Sequence, residues 1–156
     1  MKSYLMTILL SLMPISEVRG GIPFAMSQGI PFPLSLLLPM LANMLVVFPL
    51  LFMVKPLFSF LRQHHLFERL IGAYEKRAGR KMNRHLNFKK VGLFLFVAIP
   101  LPTTGVYTGV VASILAGMKA REAMLPLLLG VFVASILTYL AASGLLGFFN
   151  LIFTKM

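Results

Sequence analysis

Three stretches of this chain carry no Asp, Glu, Lys or Arg: residues 20–54, 91–118 and 123–154. Each exceeds the roughly 20 residues a helix needs to cross a bilayer's hydrocarbon core. Their apolar positions run continuously and do not alternate, which argues against a β-barrel. Proline and glycine cut the apolar sequence into shorter pieces. Residues 3–16 form an apolar stretch whose helix would reach only about 21 Å, short of a ~30 Å core, and Pro14 breaks it. SEVRGGIP (16–23) follows, then a second short apolar stretch to Gly29, closed by Pro31 and Pro33. Residues 34–60 read as a long apolar helix with Pro39, Pro49 and Pro56 as candidate kinks. The same order then returns: an apolar stretch over 91–101, the break PLPTTG (100–105), a short segment to Gly117, and a last helix over about 123–149.

Between these lies the only long polar segment, residues 61–90. Leu66, Phe67, Leu70, Ile71 and Tyr74 fall on one helical face there and the charged residues on the other, the pattern of an amphipathic helix on a membrane surface.

The two halves align. Pro14, Ser16, Val18 and Gly21 meet Pro102, Thr104, Val106 and Gly109; at the same offset Ala25 meets Ser113 and Gly29 meets Gly117. One residue of slippage later, Leu38-Pro39 meets Leu125-Pro126. Interrupted apolar segments at matching positions of two halves point to an inverted-repeat transporter and its binding site. The expected fold is therefore an all-α polytopic membrane protein, one transmembrane domain over residues 1–156. Repeat one is 3–60, the cytoplasmic amphipathic segment 61–90 and repeat two 91–150. Each repeat is read as a re-entrant hairpin plus a long transmembrane helix. A four-span topology, with each broken segment crossing fully, competes with it. The hairpins are favoured because each half-segment is too short to span and non-helical backbone at membrane depth must line protein or a cavity.

Composition agrees: the 156 residues are 58% hydrophobic and 12% charged, with mean hydropathy +0.88. The net charge of +11 suggests nucleic acid only until its distribution is considered. Ten of the fifteen Lys and Arg lie between positions 55 and 90, the positive-inside signature of a cytoplasmic segment beside anionic lipid. The expected location is the inner (plasma) membrane of a prokaryote. The opening MKSYLMTILLSLM resembles a signal peptide, but no small-residue cleavage site follows, so it is read as retained.

Glu17 and Arg19 are the only charges between Lys2 and Lys55. Ionisable groups at membrane depth suggest function by default. Ser16 is a candidate N-cap. The helix start behind it offers unpaired N–H groups and a positive dipole end. Gly20 and Gly21 allow close backbone approach, and the Arg19 guanidinium suits phosphate. Together these suggest a site for an anionic headgroup, with Glu17 as a proton-coupling carboxylate; a structural ion pair is the plainer alternative. In the second half Thr103 or Thr104 is a candidate cap, Gly105 follows, and Tyr107 is a candidate hydrogen-bonder to substrate, with capping and packing as the alternative. Small residues spaced by four (Gly21, Ala25, Gly29; Gly105, Gly109, Ser113, Gly117) suit close helix packing in lipid. Asn43 is read as interhelical glue.

There is no cysteine, and His64, His65 and His85 lack the acidic company a metal needs. No cofactor or metal is expected. Neither P-loop, GxSxG nor HExxH occurs, so an enzyme is not expected.

SEVRGGIPFA and PLPTTGVYTG, recurring in the two halves, make the chain resemble the small multidrug export protein family over nearly its whole length. That family in turn is similar to the DedA/VTT superfamily. The latter resemblance implies paired re-entrant hairpins of inverted topology and, in some members, movement of polyprenyl-phosphate or other lipids with proton dependence. It also implies arginines in the second hairpin, where this chain has no charge. The functional expectation is a small secondary-type transporter of a lipophilic or anionic substrate, such as a polyprenyl-phosphate-like lipid, with its substrate site at Glu17, Arg19, Gly20, Gly21, Thr103, Thr104, Gly105 and Tyr107. Alternatives are an exporter of amphipathic drugs and a non-transporting structural or partner-binding membrane protein. Expected partners are membrane lipids, with anionic lipid at the basic segment, and a second copy of the chain in a homodimer; nucleic acid is not expected.

Overall fold

The structure, a computed structural model, describes residues 1–61, 86–101 and 104–153. Most of the expected amphipathic segment lies outside them, as does Thr103. The described residues form α-helices and no strands: α1 (Lys2–Leu12), α2 (Glu17–Ser27), α3 (Leu34–Leu61), α4 (Leu86–Ala98), α5 (Val106–Leu115) and α6 (Ala120–Phe153).

Local chemistry sets the breaks. Met13, just before Pro14, is extended at φ −76° and ψ 138°, the conformation a following proline enforces. α4 ends at Ala98, two residues before Pro100. The two short inner helices stop alike. Gly29 has φ 71° and Gly117 has φ 68°, and the same bonds surround both. Gly29 N–H donates to Met26 O and Ile30 N–H to Ala25 O; Gly117 N–H donates to Ile114 O and Met118 N–H to Ser113 O. This is a Schellman-type end, which needs a left-handed residue, set at positions 88 apart (29 and 117).

Two boundaries differ from the sequence reading. α4 begins at Leu86, so Lys89 and Lys90 belong to a helix and not to a surface segment ending at 90. α6 begins at Ala120, before the expected 123, because the Glu122 carboxylate accepts the Lys119 N–H at 2.8 Å, satisfying an orphan donor of the first turn.

The helices pair symmetrically. Ser3 Oγ, at the start of α1, donates to Gln28 Oε1, just past α2, at 3.3 Å. Lys89 Nζ, at the start of α4, donates to Ala116 O, just past α5, at 2.9 Å. Each short pair is thus an antiparallel helical hairpin. α1 and α2 pack on α3; α4 and α5 pack on α6; α2 crosses to α6, α5 crosses to α3, and α3 packs on α6. Every pairing has a counterpart in the other half. The core lies where the four inner elements meet: Val18 and Ile22, Val106 and Val110, Met40 and Val47, Leu127 and Ala134. These are matching positions. Gly21 and Gly109 match too. A Cβ at Gly21 would stand 3.2 Å from Pro39 Cβ, and one at Gly109 would stand 2.7 Å from Val97 and 2.9 Å from Leu127.

Outside the core the long helices stay apolar. Leu34–Met53 and Ala120–Gly144 have mean hydropathies of 2.3 and 2.2, and each is long enough to cross a membrane. Leu41, Leu45, Phe48 and Phe52 on α3, and Leu125, Leu129, Phe132 and Leu140 on α6, are exposed, surface that suits hydrocarbon better than water.

Candidate functional site

The two breaks meet. Glu17, the first residue of α2, is a non-glycine residue with φ 47°, a left-handed conformation that costs an L-residue about 1–2 kcal/mol. Its carboxylate is buried and crosses to the other half, where Oε1 accepts the Tyr107 N–H at 3.4 Å, with the Val106 N–H beside it. The carboxylate thereby takes up donors that the first turn of α5 leaves unpaired. Gly105 makes room for it: a Cβ there would lie 2.5 Å from Glu17 Cδ.

Arg19, one turn into α2 and partly buried, turns toward the second break. Its Nη2 donates to Thr104 Oγ1 at 3.0 Å and to Ile99 O, just past α4, at 3.4 Å. No salt bridge closes between it and Glu17, and its Nε is buried without a partner. The reach is reciprocal. Tyr107, which matches Arg19, donates its hydroxyl to Leu12 O at the end of α1. A cavity of about 200 Å³ opens beside these groups, lined by Pro14, Ile15, Glu17, Arg19, Thr104, Gly105 and Thr108.

A family model described as "Putative small multi-drug export protein" matches residues 17–137. The chain belongs to this family. No curated protein and no solved structure matches it. With its two long apolar helices, this member of the small multi-drug export family is a membrane protein. The matched residues include Glu17, Arg19 and both helix starts.

In this family member the expected site residues other than Thr103, which lies outside the described residues, separate into three groups. Glu17, Arg19, Thr104 and Gly105 line the cavity together. Tyr107 stands next to them, and its hydroxyl donates to Leu12 O, which ties the halves together. Gly20 and Gly21 lie away from the cavity: Gly20 over Ser16, and Gly21 wedged between Ser11 of α1 and Pro39 of α3. The capping expectations fail. Ser16 occupies the N-cap position of α2 with helical dihedrals and makes no cap bond. Thr104 Oγ1 donates back to Ile99 O at 2.7 Å and accepts from Arg19. The N-cap of α5 is Gly105, whose N–H donates to Thr108 Oγ1 at 3.0 Å.

Asn43 also departs from expectation. It bonds no neighbouring helix: its side chain is fully buried in α3, and neither amide atom has a partner. It lies on α3 near the Glu17 carboxyl. Its lone polar character was the signal in sequence; its lack of a hydrogen-bond partner was not. Thr108 of the cavity carried no such signal.

Proposed function

We propose that this chain is a small secondary transporter whose two halves are inverted repeats, each a re-entrant hairpin (α1–α2, α4–α5) and a long span (α3, α6). The observation that carries the proposal is the convergence of both interrupted segments on one cavity through Glu17 and Arg19. Broken helices meeting at mid-membrane are how secondary transporters build substrate sites. Inversion is supported by the contacts of matching residues: Glu17 lies against Gly105, Arg19 reaches the end of α4 and Tyr107 the end of α1. Such reciprocity is what a two-fold axis requires. Each first helix also suits half a membrane: α1 has 11 residues and rises about 16 Å, near half of a ~30 Å core.

In this reading Arg19 holds the anionic group of a lipophilic or amphipathic substrate, such as a lipid phosphate, by a charge-assisted fork. Glu17 exchanges a proton, and rocking of one repeat against the other exposes the cavity to each side. The basic stretch between α3 and α4 is cytoplasmic in this reading, on the side of anionic lipid. Export of amphipathic cations is a second reading, favoured by the family's description and by the carboxylate at the cavity wall.

The test is flux in proteoliposomes with a fluorescent short-chain isoprenyl phosphate and, in parallel, an amphipathic dye cation. Phosphate flux is expected to rise with an imposed pH gradient and to fall about tenfold in Arg19→Ala, the loss of one charge-assisted hydrogen bond, with Arg19→Lys between. Cation flux abolished by Glu17→Gln, with phosphate flux at the level of empty liposomes, would establish the second reading. Flux of neither probe above empty liposomes would contradict transport.

A further inference from the structure

A second and larger space lies outside the meeting of the breaks, in a groove between α4 and α6. The two helices approach closely at Gly130, where an added Cβ would stand 2.7 Å from Val97 Cβ and 3.2 Å from Phe94 O. On the N-terminal side of that contact a groove of about 340 Å³ opens between them. Both helices begin at the same end of the molecule, since Lys89 near the start of α4 bonds Ala116 O just before α6.

The polarity of the groove is graded along its length. Lys90 of α4 and Arg121 and Glu122 of α6 stand at its rim, at the helix starts. Phe94 and Leu125 line it one turn further in, and Leu129 two turns further in. From Arg121 to Leu129 the rise is about 12 Å. Leu125 and Leu129 are exposed, so the groove opens on the apolar outer face of α6. At the rim, two cations face one carboxylate, and that carboxylate accepts the Lys119 N–H at 2.8 Å. The start of α6 adds the positive end of a long helix. Lys89 turns away to Ala116 O. A positive rim above an apolar cleft, open to hydrocarbon, matches a ligand with an anionic head and an apolar tail.

We propose that this groove holds one anionic phospholipid, its phosphate at Lys90 and Arg121 and an acyl chain along Phe94, Leu125 and Leu129. Charge complementarity decides the occupant. The chain has four acidic residues. Glu17 is buried at the other site, and Glu122 belongs to the groove itself. The remaining two, Glu68 and Glu75, are each followed directly by a cation, Arg69 and Lys76. A second copy of the chain therefore has little negative charge to offer this rim, whereas a bilayer supplies phosphates above hydrocarbon. The first half lacks the pair: Lys2 stands at the position matching Lys90, but Leu34 at that matching Arg121. The site belongs to the second half alone, where the lipid joins the start of the second hairpin to the start of the last helix. It requires a bilayer and this groove, and is independent of transport at Glu17 and Arg19.

The chain has no tryptophan, so Leu129→Trp places a single fluorescent reporter in the groove, and Leu45→Trp places one on the exposed face of α3 for comparison. The full chain is reconstituted in phosphatidylcholine with a minor share of phosphatidylglycerol, with bromine on the chains of one lipid or the other as quencher. At position 129 brominated phosphatidylglycerol is expected to compete about tenfold better than phosphatidylcholine, the effect of one charge-assisted contact. At position 45 the two should quench in proportion to their shares. Lys90→Gln with Arg121→Gln should bring position 129 to the level of position 45. A preference unchanged in that double variant overturns the proposal, because the basic stretch between α3 and α4 would then be gathering the lipid. A preference erased by inorganic phosphate at constant ionic strength also overturns it, in favour of a free anion. Quenching by neither lipid means that protein covers the groove, and overturns it as well. Should Leu129→Trp not fold, native mass spectrometry of the wild type and the double variant decides. Retention of phosphatidylglycerol over phosphatidylcholine is expected to be lost in the double variant, and equal retention in both proteins overturns the proposal.

Discussion

Gly105 is the residue on which the meeting of the two breaks depends most narrowly. Its missing side chain is the space in which the Glu17 carboxyl sits. Gly105→Ala is expected to destabilise the protein by about 1–3 kcal/mol, the usual penalty for overpacking. Gly92→Ala is the control: nothing lies within 4 Å of its added Cβ, and it sits inside α4. That variant should be neutral or gain roughly 0.5–1 kcal/mol from helix propensity. Unfolding in detergent measures both, and equal effects would count against the packing described for Gly105. At this scale the sequence was informative about charge and poor about partners. Glu17 and Arg19 stood out because little else is polar near them. Ser16 and Thr104 looked like caps because cap preference is local. In the fold a carboxylate 90 residues before Tyr107 supplies the acceptor at α5 instead, and the Thr104 hydroxyl serves Arg19 and the Ile99 carbonyl. No local rule reports a partner from the other half.

The elements were more legible, because proline and glycine act through the backbone alone. Pro14 and Pro100 mark where α1 and α4 stop, and Gly29 and Gly117 end the inner helices with the same bonds. The repeat visible in sequence thus reappears in hydrogen bonding. It follows that Gly29→Ala and Gly117→Ala should each lower stability by about 1–2 kcal/mol, since neither added Cβ meets an atom and left-handed strain alone remains. Thermal melts should place the two variants close together; a loss confined to one half would mean that the two ends are not equivalent. Helix starts were harder to read, as with α6, where one Glu122–Lys119 bond moves the boundary by about a turn.

For the whole molecule, hydropathy indicated a membrane protein but not its interior. α3 is apolar on all sides, so lipid-facing Leu41 and Leu45 resemble core Met40 and Val47 in sequence and differ only in packing. The arrangement proposed here has hairpins entering from opposite faces and meeting at Glu17. The chain has no cysteine, so single-cysteine variants can be labelled without background. Ser3→Cys, Gln28→Cys and Lys119→Cys, exposed to a membrane-impermeant maleimide in right-side-out and inverted vesicles, test this directly. Ser3 and Gln28 are expected to label from one face and Lys119 from the other. Labelling of Ser3 and Gln28 from opposite faces, or of Lys119 from the same face as Gln28, would contradict it.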